Sequence, residues 1–180
     1  MTSVKGGVSV GMRVILQPHP ASPPGPVEQI VAYFERVNRF RFWVRFELQG
    51  ALSQVVWPTA AFGGRADDLW RTTCFEAFLK GDDAYWEFNF SPSQQWASYS
   101  FDAYRSGQRQ AAEVASPVRP DLEDTYAEFE ATFEQPPGVT RLGLSAVIQT
   151  IDGAISYWAL AHPSDKPDFH HPESFVLDLP

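Results

Sequence analysis

Glu76 is the first residue in this chain that demands a chemical explanation. It lies in Cys74-Phe75-Glu76-Ala77-Phe78-Leu79, where apolar residues occupy both faces of an extended segment. The strand is therefore expected to be central in its sheet, with Cys74 and Phe78 on the same face as Glu76. A carboxylate in such company needs a partner or a cavity to face, because burying an unpaired charge is costly. Arg71, Arg45 and Arg105 are candidate ion-pair partners; a ligand is the other candidate. On the next segment Glu87 and Asn89 alternate with Trp86, Phe88 and Phe90. Carboxylates and amides can bond vicinal hydroxyls while indole or phenol rings cover the apolar face of a sugar. That reading competes with an ordinary solvated outer sheet face. Glu76 with Glu87 or Glu128 also has the composition of a glycosidase acid and nucleophile, a pairing that any β protein with several glutamates can offer.

Other reactive side chains point less far. His162, His170 and His171 lie close together with Asp165 and Asp168 between them, but no HxxxH or HExxH spacing occurs, and extended neighbours such as His170 and His171 point apart. The Pro-rich surroundings predict a loop crossing a sheet end, and no metal site is assigned. Asp67-Asp68 and Asp82-Asp83 are loop carboxylates that admit a structural calcium without an EF-hand pattern. Cys74 is the single cysteine, which excludes an internal disulfide framework and multi-Cys metal sites; it reads as a small buried apolar residue.

The elements that must position these groups are strands. Among 180 residues, Phe 14, Tyr 6 and Trp 6 stand beside 15 prolines and 12 glycines, a strand-and-turn composition. Segment 39–48 alternates cleanly: Phe40, Phe42, Val44, Phe46 and Leu48 on one face, Arg39, Arg41, Trp43, Arg45 and Glu47 on the other. The outward arginines suggest an edge strand protected from pairing. Alternation or turn punctuation marks further strands near 12–17, 27–34, 54–57, 72–80, 84–90, 96–104, 126–134, 141–151, 154–162 and 175–179. In 96–102 the set Trp96, Ser98, Ser100 and Asp102 opposes Ala97, Tyr99 and Phe101. Five prolines between Pro18 and Pro26 predict an extended arm. Residues 108–122 read as a loop. Asp152-Gly153 predicts a two-residue type I′ hairpin.

The architecture expected is all-β: a sandwich of two antiparallel sheets, with a closed up-and-down barrel as the alternative. Residues 1–13 form an N-terminal extension or strand and 14–180 a single domain. The net charge of −8 argues against a nucleic-acid partner. No stretch approaches a membrane span, and no apolar run of signal-peptide length opens the sequence, so the cytoplasm is the expected location.

The runs Leu69-Trp70-Arg71-Thr72-Thr73-Cys74-Phe75-Glu76, Tyr85-Trp86-Glu87-Phe88-Asn89-Phe90-Ser91-Pro92-Ser93 and Trp96-Ala97-Ser98-Tyr99-Ser100-Phe101 carry a resemblance. Together with Ser156-Tyr157-Trp158-Ala159-Leu160 and Lys166-Pro167-Asp168-Phe169-His170-His171-Pro172, they make the chain resemble bacterial DOMON-like domain proteins. These are related to family 9 carbohydrate-binding modules. The resemblance implies a jelly-roll-type β-sandwich that binds sugar or haem. It places Trp70, Arg71, Glu76, Glu87, Asn89 and Trp96 in the motif regions of the binding site. Haem-binding relatives use Met and His axial ligands, and here the methionines are Met1 and Met12, so no haem is expected. The function expected is non-catalytic binding of a carbohydrate or similar polar small molecule. A haem-binding electron-transfer domain and a glycoside hydrolase are the alternatives.

Overall fold

The computed structural model describes residues 11–179. Among the described residues fourteen strands run in chain order: β1 (Met12–Pro18), β2 (Val27–Asn38), β3 (Arg41–Gly50), β4 (Gly64–Arg65), β5 (Cys74–Lys80), β6 (Tyr85–Phe90), β7 (Gln95–Phe101), β8 (Arg109–Gln110), β9 (Ala115–Pro117), β10 (Asp121–Leu122), β11 (Tyr126–Glu134), β12 (Arg141–Gln149), β13 (Ile155–Ala159) and β14 (Leu177–Asp178). Three single-turn 3-10 segments, Leu52–Gln54, Leu69–Arg71 and Pro172–Ser174, are the helical elements among the described residues. The extension expected over residues 1–13 lies mostly outside the described residues, but its end belongs to β1.

The strands form one continuous, curled path in the order β10-β11-β3-β2-β1-β13-β12-β5-β6-β7-β4, all-antiparallel except for the short β4–β7 pair. The turning point is β1. Its residues Met12 to Leu16 pair with β2, and Gln17 and Pro18 then pair with β13. The curl brings the two halves of the path face to face. Phe75 on β5 stacks on Phe129 of β11 at 4.7 Å and lies 4.8 Å from Phe46 of β3. Phe88 of β6 meets Phe133 of β11 at 4.7 Å. These rings are fully buried, and burying an aromatic side chain is among the largest favourable contributions a β core has.

Alternation creates this core. Along β11, Ala127, Phe129, Ala131 and Phe133 are buried and the residues between them are not, as a strand with one wet face requires. On β3, Phe42, Val44, Phe46 and Leu48 are wholly buried. Phe40 departs from the expected set and is 61% exposed, because the β2–β3 turn takes it out of the strand, its N–H bonded to Asn38 Oδ1.

Other expectations are corrected in the same way. β3 is an interior strand between β2 and β11, so its arginines do not guard an edge. Arg45 instead lies over Tyr33 at 4.6 Å and pairs with Glu47 and Glu128 on the outer face. Segment 54–57 is not a strand: a 3-10 turn buries Leu52, and Val55 makes one bridge to Thr150. Loop 108–122 carries the short strands β8, β9 and β10, with Pro117 on β9, which among the described residues pairs with β11 alone. The β12–β13 hairpin forms, but with a different turn. Gly153 is at φ +88 while Asp152 keeps an ordinary φ, and the Gly153 N–H bonds the Thr150 carbonyl. The Asp152 carboxylate accepts from the Ala154 N–H, which holds a type I turn with Gly153 in the left-handed position.

Candidate functional site

The registers of β12, β5, β6 and β7 set one sheet face against the core-facing one. Glu76 stands opposite Ser145 on β12 and Asn89 on β6; Glu87 stands opposite Phe78 on β5 and Tyr99 on β7. Glu76 and Glu87 are thus diagonal neighbours on the side turned away from Phe75 and Phe88. A hollow of about 860 Å³ opens over this face, a size typical of small-molecule sites. Glu76, Phe78, Glu87 and Tyr99 line its base, and Tyr157 on β13 and Val147 on β12 extend it. Trp70, 48% exposed, and Asp67 belong to its rim.

The remaining wall is the tail between β13 and β14. Pro167, Phe169 and His170 line the hollow. The tail is fastened by Asp168, which accepts hydrogen bonds from Tyr104 Oη at 2.5 Å and Arg105 at 2.8 Å. Behind Asp168, the His170 ring sets its edge against Phe78, Tyr85 and Phe101. Asp68 and Arg105, both lining the hollow, have φ of 60 and 50. Positive φ in non-glycine residues is uncommon and recurs around functional sites.

Both carboxyl groups are held where ionisation is unfavourable. Glu76 is 2% exposed, and its Oε2 accepts from Ser145 Oγ at 2.9 Å. Burial first, and then the charge of Glu87, push its pKa up to about 8 against the pull of Ser145. Glu87 is raised by burial too, although the Asn89 bond and the Arg105 charge oppose this. His170 Nε2 is 3.6 Å from Glu87 Oε2. Burial, then Arg105, lower the imidazole to about 4, so at neutral pH this contact is between an uncharged ring and a carboxyl, not an ion pair. Tyr99, half-buried, donates to Asp67 at 2.5 Å, and its partial desolvation together with that bond holds it well above its ordinary pKa.

Of the residues expected from sequence, Trp70, Glu76 and Glu87 come together around the hollow. Asn89 is buried behind them; its Nδ2 donates to Glu87 Oε1 at 2.7 Å, so it positions that carboxyl. Arg71 turns to Asp68 at 3.3 Å and lies 5.2 Å over the Trp70 ring. Trp96 is on the other face of β7, packed against the core beneath Arg65 at 4.5 Å. None of the three arginines considered as partners pairs with Glu76; its bond goes to Ser145. Glu128 belongs to the opposite half of the path, paired with Arg45, and so is separate from the Glu76–Glu87 pair. The central place of β5 and the shared face of Cys74, Glu76 and Phe78 are as expected.

The histidines diverge. His162 Nε2 bonds the Gln17 carbonyl at 2.7 Å beside His19, His170 bonds Tyr85, and His171 accepts the Glu173 N–H at the tail's 3-10 turn. Among the described residues no three His, Cys, Asp or Glu side chains are grouped to hold a metal ion.

Similarity to known proteins is confined to the fold. No family model matches the chain, and no curated protein matches it. A solved "putative carbohydrate-binding protein" from Bacteroides uniformis superposes with a TM-score of 0.57 at 15% identity, over 89% of this chain and 83% of that one.

Sequence reasoning missed Tyr99, Tyr157, Phe169 and His170 as lining residues. Alternation groups Tyr99 with Ala97 and Phe101, but both faces of β7 carry aromatics, so it does not say which is inward. The Pro-rich run Pro167–Pro172 predicts a loop crossing a sheet end, whereas its residues Pro167, Phe169 and His170 line the hollow over the sheet face.

Proposed function

We propose that the protein is a non-catalytic binding domain whose hollow over β5, β6 and β7 takes a carbohydrate or a similarly polar small molecule. One observation carries this reading: two buried carboxyls, Glu76 and Glu87, share a hollow with the rings of Trp70, Tyr99, Tyr157 and Phe169. Carboxyls and phenols offer hydrogen-bond donors and acceptors to hydroxyl groups, while the rings cover C–H faces. The fold likeness to the Bacteroides uniformis protein, named as carbohydrate-binding, supports the same reading. So does the facing of the two halves of the strand path, the arrangement that a two-sheet sandwich of the DOMON and CBM9 kind requires.

Calorimetric titration with a panel of mono- and disaccharides tests the proposal. Saturable binding is expected, weakened about three- to tenfold by Trp70→Ala or Tyr157→Ala through loss of ring stacking. Absence of saturable binding to every sugar in the panel would reject it.

A further inference from the structure

The charges around the hollow are not balanced by groups free to meet them. Asp67, Asp68, Glu76 and Glu87 line it, opposed by Arg105 and Arg109. Both arginines are already engaged: Arg105 with Asp168 at 2.8 Å, and Arg109 with both oxygens of Asp102 at 2.6 and 3.0 Å. Asp68 has Arg71 and Asp67 has the Tyr99 hydroxyl. The two glutamates are different. Glu76 is buried, yet its bond is a single one from Ser145 to Oε2, and among the described residues no cation pairs with it. Glu87 Oε1 takes the Asn89 amide, and its Oε2 faces His170 at 3.6 Å, beyond hydrogen-bond range. One oxygen of each carboxyl is therefore left for an occupant, between aromatic rings.

We propose that the hollow selects sugars bearing a primary ammonium group, seated against the free oxygens of Glu76 and Glu87 and flanked by Phe78 and Tyr99; this rests on the carbohydrate reading above. A primary ammonium brings three N–H donors, enough for two carboxyl oxygens. A hydroxyl brings one donor and no charge, an acetamido group one donor and no charge, and a quaternary ammonium charge without a donor. Charge-assisted hydrogen bonds are about twice as strong as neutral ones, and rings beside the cation add attraction between charge and ring face. Metal chemistry lacks a matching ligand group among the described residues. The state of Glu76 fits the same occupant. Burial and its neighbour Glu87 keep it protonated through neutral pH, and a cation offsets both causes. Binding then converts the Glu76 carboxylic acid to carboxylate, the proton leaves to solvent, and the ammonium keeps its own three.

The β-1,4 disaccharides of glucose, glucosamine and N-acetylglucosamine share one skeleton and differ at C2, where they carry hydroxyl, ammonium and acetamido groups. Titration calorimetry of the full chain is run at about pH 5.5, where the amino sugar is in its ammonium form and the Glu76 carboxyl still holds its proton, in two buffers of unlike protonation enthalpy. The glucosamine disaccharide is expected to bind about tenfold or more tightly than the other two, with buffer-dependent heat marking proton release. In Glu76→Gln the affinity ratio is expected to fall towards one and the proton release to vanish. Glu87→Gln, in which Asn89 still finds an amide oxygen, is expected to lower the ratio as well. Equal affinity for all three sugars, or a ratio unchanged in both variants, overturns the ammonium selection and leaves the carbohydrate reading standing. Failure of all three to bind overturns the ammonium selection, and the carbohydrate reading falls with it when the whole panel of mono- and disaccharides also fails.

Discussion

The Tyr85 hydroxyl and His170 Nδ1 stand 2.9 Å apart, joining the sheet to the tail that walls the hollow. The same hydroxyl accepts the Arg105 backbone N–H at 3.1 Å, which leaves its own proton for the imidazole. Nδ1 is then the acceptor, and the ring's N–H lies on Nε2, on the side of Glu87 but at 3.6 Å from Oε2, too far to bond it. One phenol thus sets both the course of the 101–106 turn and the tautomer of a residue lining the site.

Tyr85→Phe removes both bonds while keeping the ring stacked on Phe101 at 4.6 Å. The expected cost is about 1–2 kcal/mol, read from urea unfolding. Faster amide exchange at His170 and His171 is expected to accompany it. Unchanged exchange there would show that Asp168 alone fastens the tail.

Stability is expected to fall as pH rises through neutrality. The folded pKa of Glu76 is raised to about 8, so between the ordinary glutamate value and about pH 8 the folded state holds a proton that the unfolded chain has lost. Its contribution is complete at low pH and is lost by about pH 8. Glu87 is raised and acts in the same sense. His170, lowered to about 4, acts oppositely: the unfolded chain binds the extra proton below its ordinary value, so stability is lost towards acid. The trends oppose one another below about pH 6.5, and the glutamate trend is unopposed by His170 above it. Melting temperature is expected to drop by several degrees between about pH 6.5 and pH 8, and Glu76→Gln to flatten that limb. A profile identical in the variant would contradict the assignment.

Much of this was legible in the sequence because alternation is a local property. Arg41 to Leu48 and Tyr126 to Glu134 each announce two faces, and the buried sets on β3 and β11 follow them; Tyr85 to Phe90 alternates too, but on β6 both faces are covered and Trp86 is the residue left half-buried. Glu76 announces itself by its apolar neighbours. Alternation is silent, however, on which face meets the core when both carry rings. Trp96 and Tyr99 have opposite fates on one strand for that reason: Trp96 joins the core and Tyr99 the hollow. Tyr157, Phe169 and His170 reach the site through long-range packing, so no spacing in the sequence relates them to Glu76.

Gly143 on β12 is expected to tolerate no side chain. A Cβ there would lie 2.8 Å from the Ser174 carbonyl oxygen, a backbone atom, so Gly143→Ala must push the 172–174 turn off the sheet. A loss of about 1–3 kcal/mol is expected, measured by denaturant titration. Weakened ligand binding should follow if the displaced turn carries His170 with it.

The Cys74 thiol is expected to be inert in the folded protein. It is fully buried, and burial together with Glu76 and Glu87 raises its pKa, which suppresses the reactive thiolate. A thiol reagent at neutral pH should modify it at the rate of global unfolding. Fast stoichiometric labelling of native protein would show instead that the β5 face opens locally.

The double allegiance of β1 has a kinetic corollary. Leu16 is registered with Ile30, but its neighbour Gln17 is registered with Ala159. The seam between the first and last thirds of the chain therefore joins residues far apart in sequence and is expected to close late. The entropy lost in bringing such distant partners together is spent before their contacts return anything. Slow acquisition of the native state is expected from that zipper, with the hairpin of β12 and β13 waiting as an open edge until the opening strand docks.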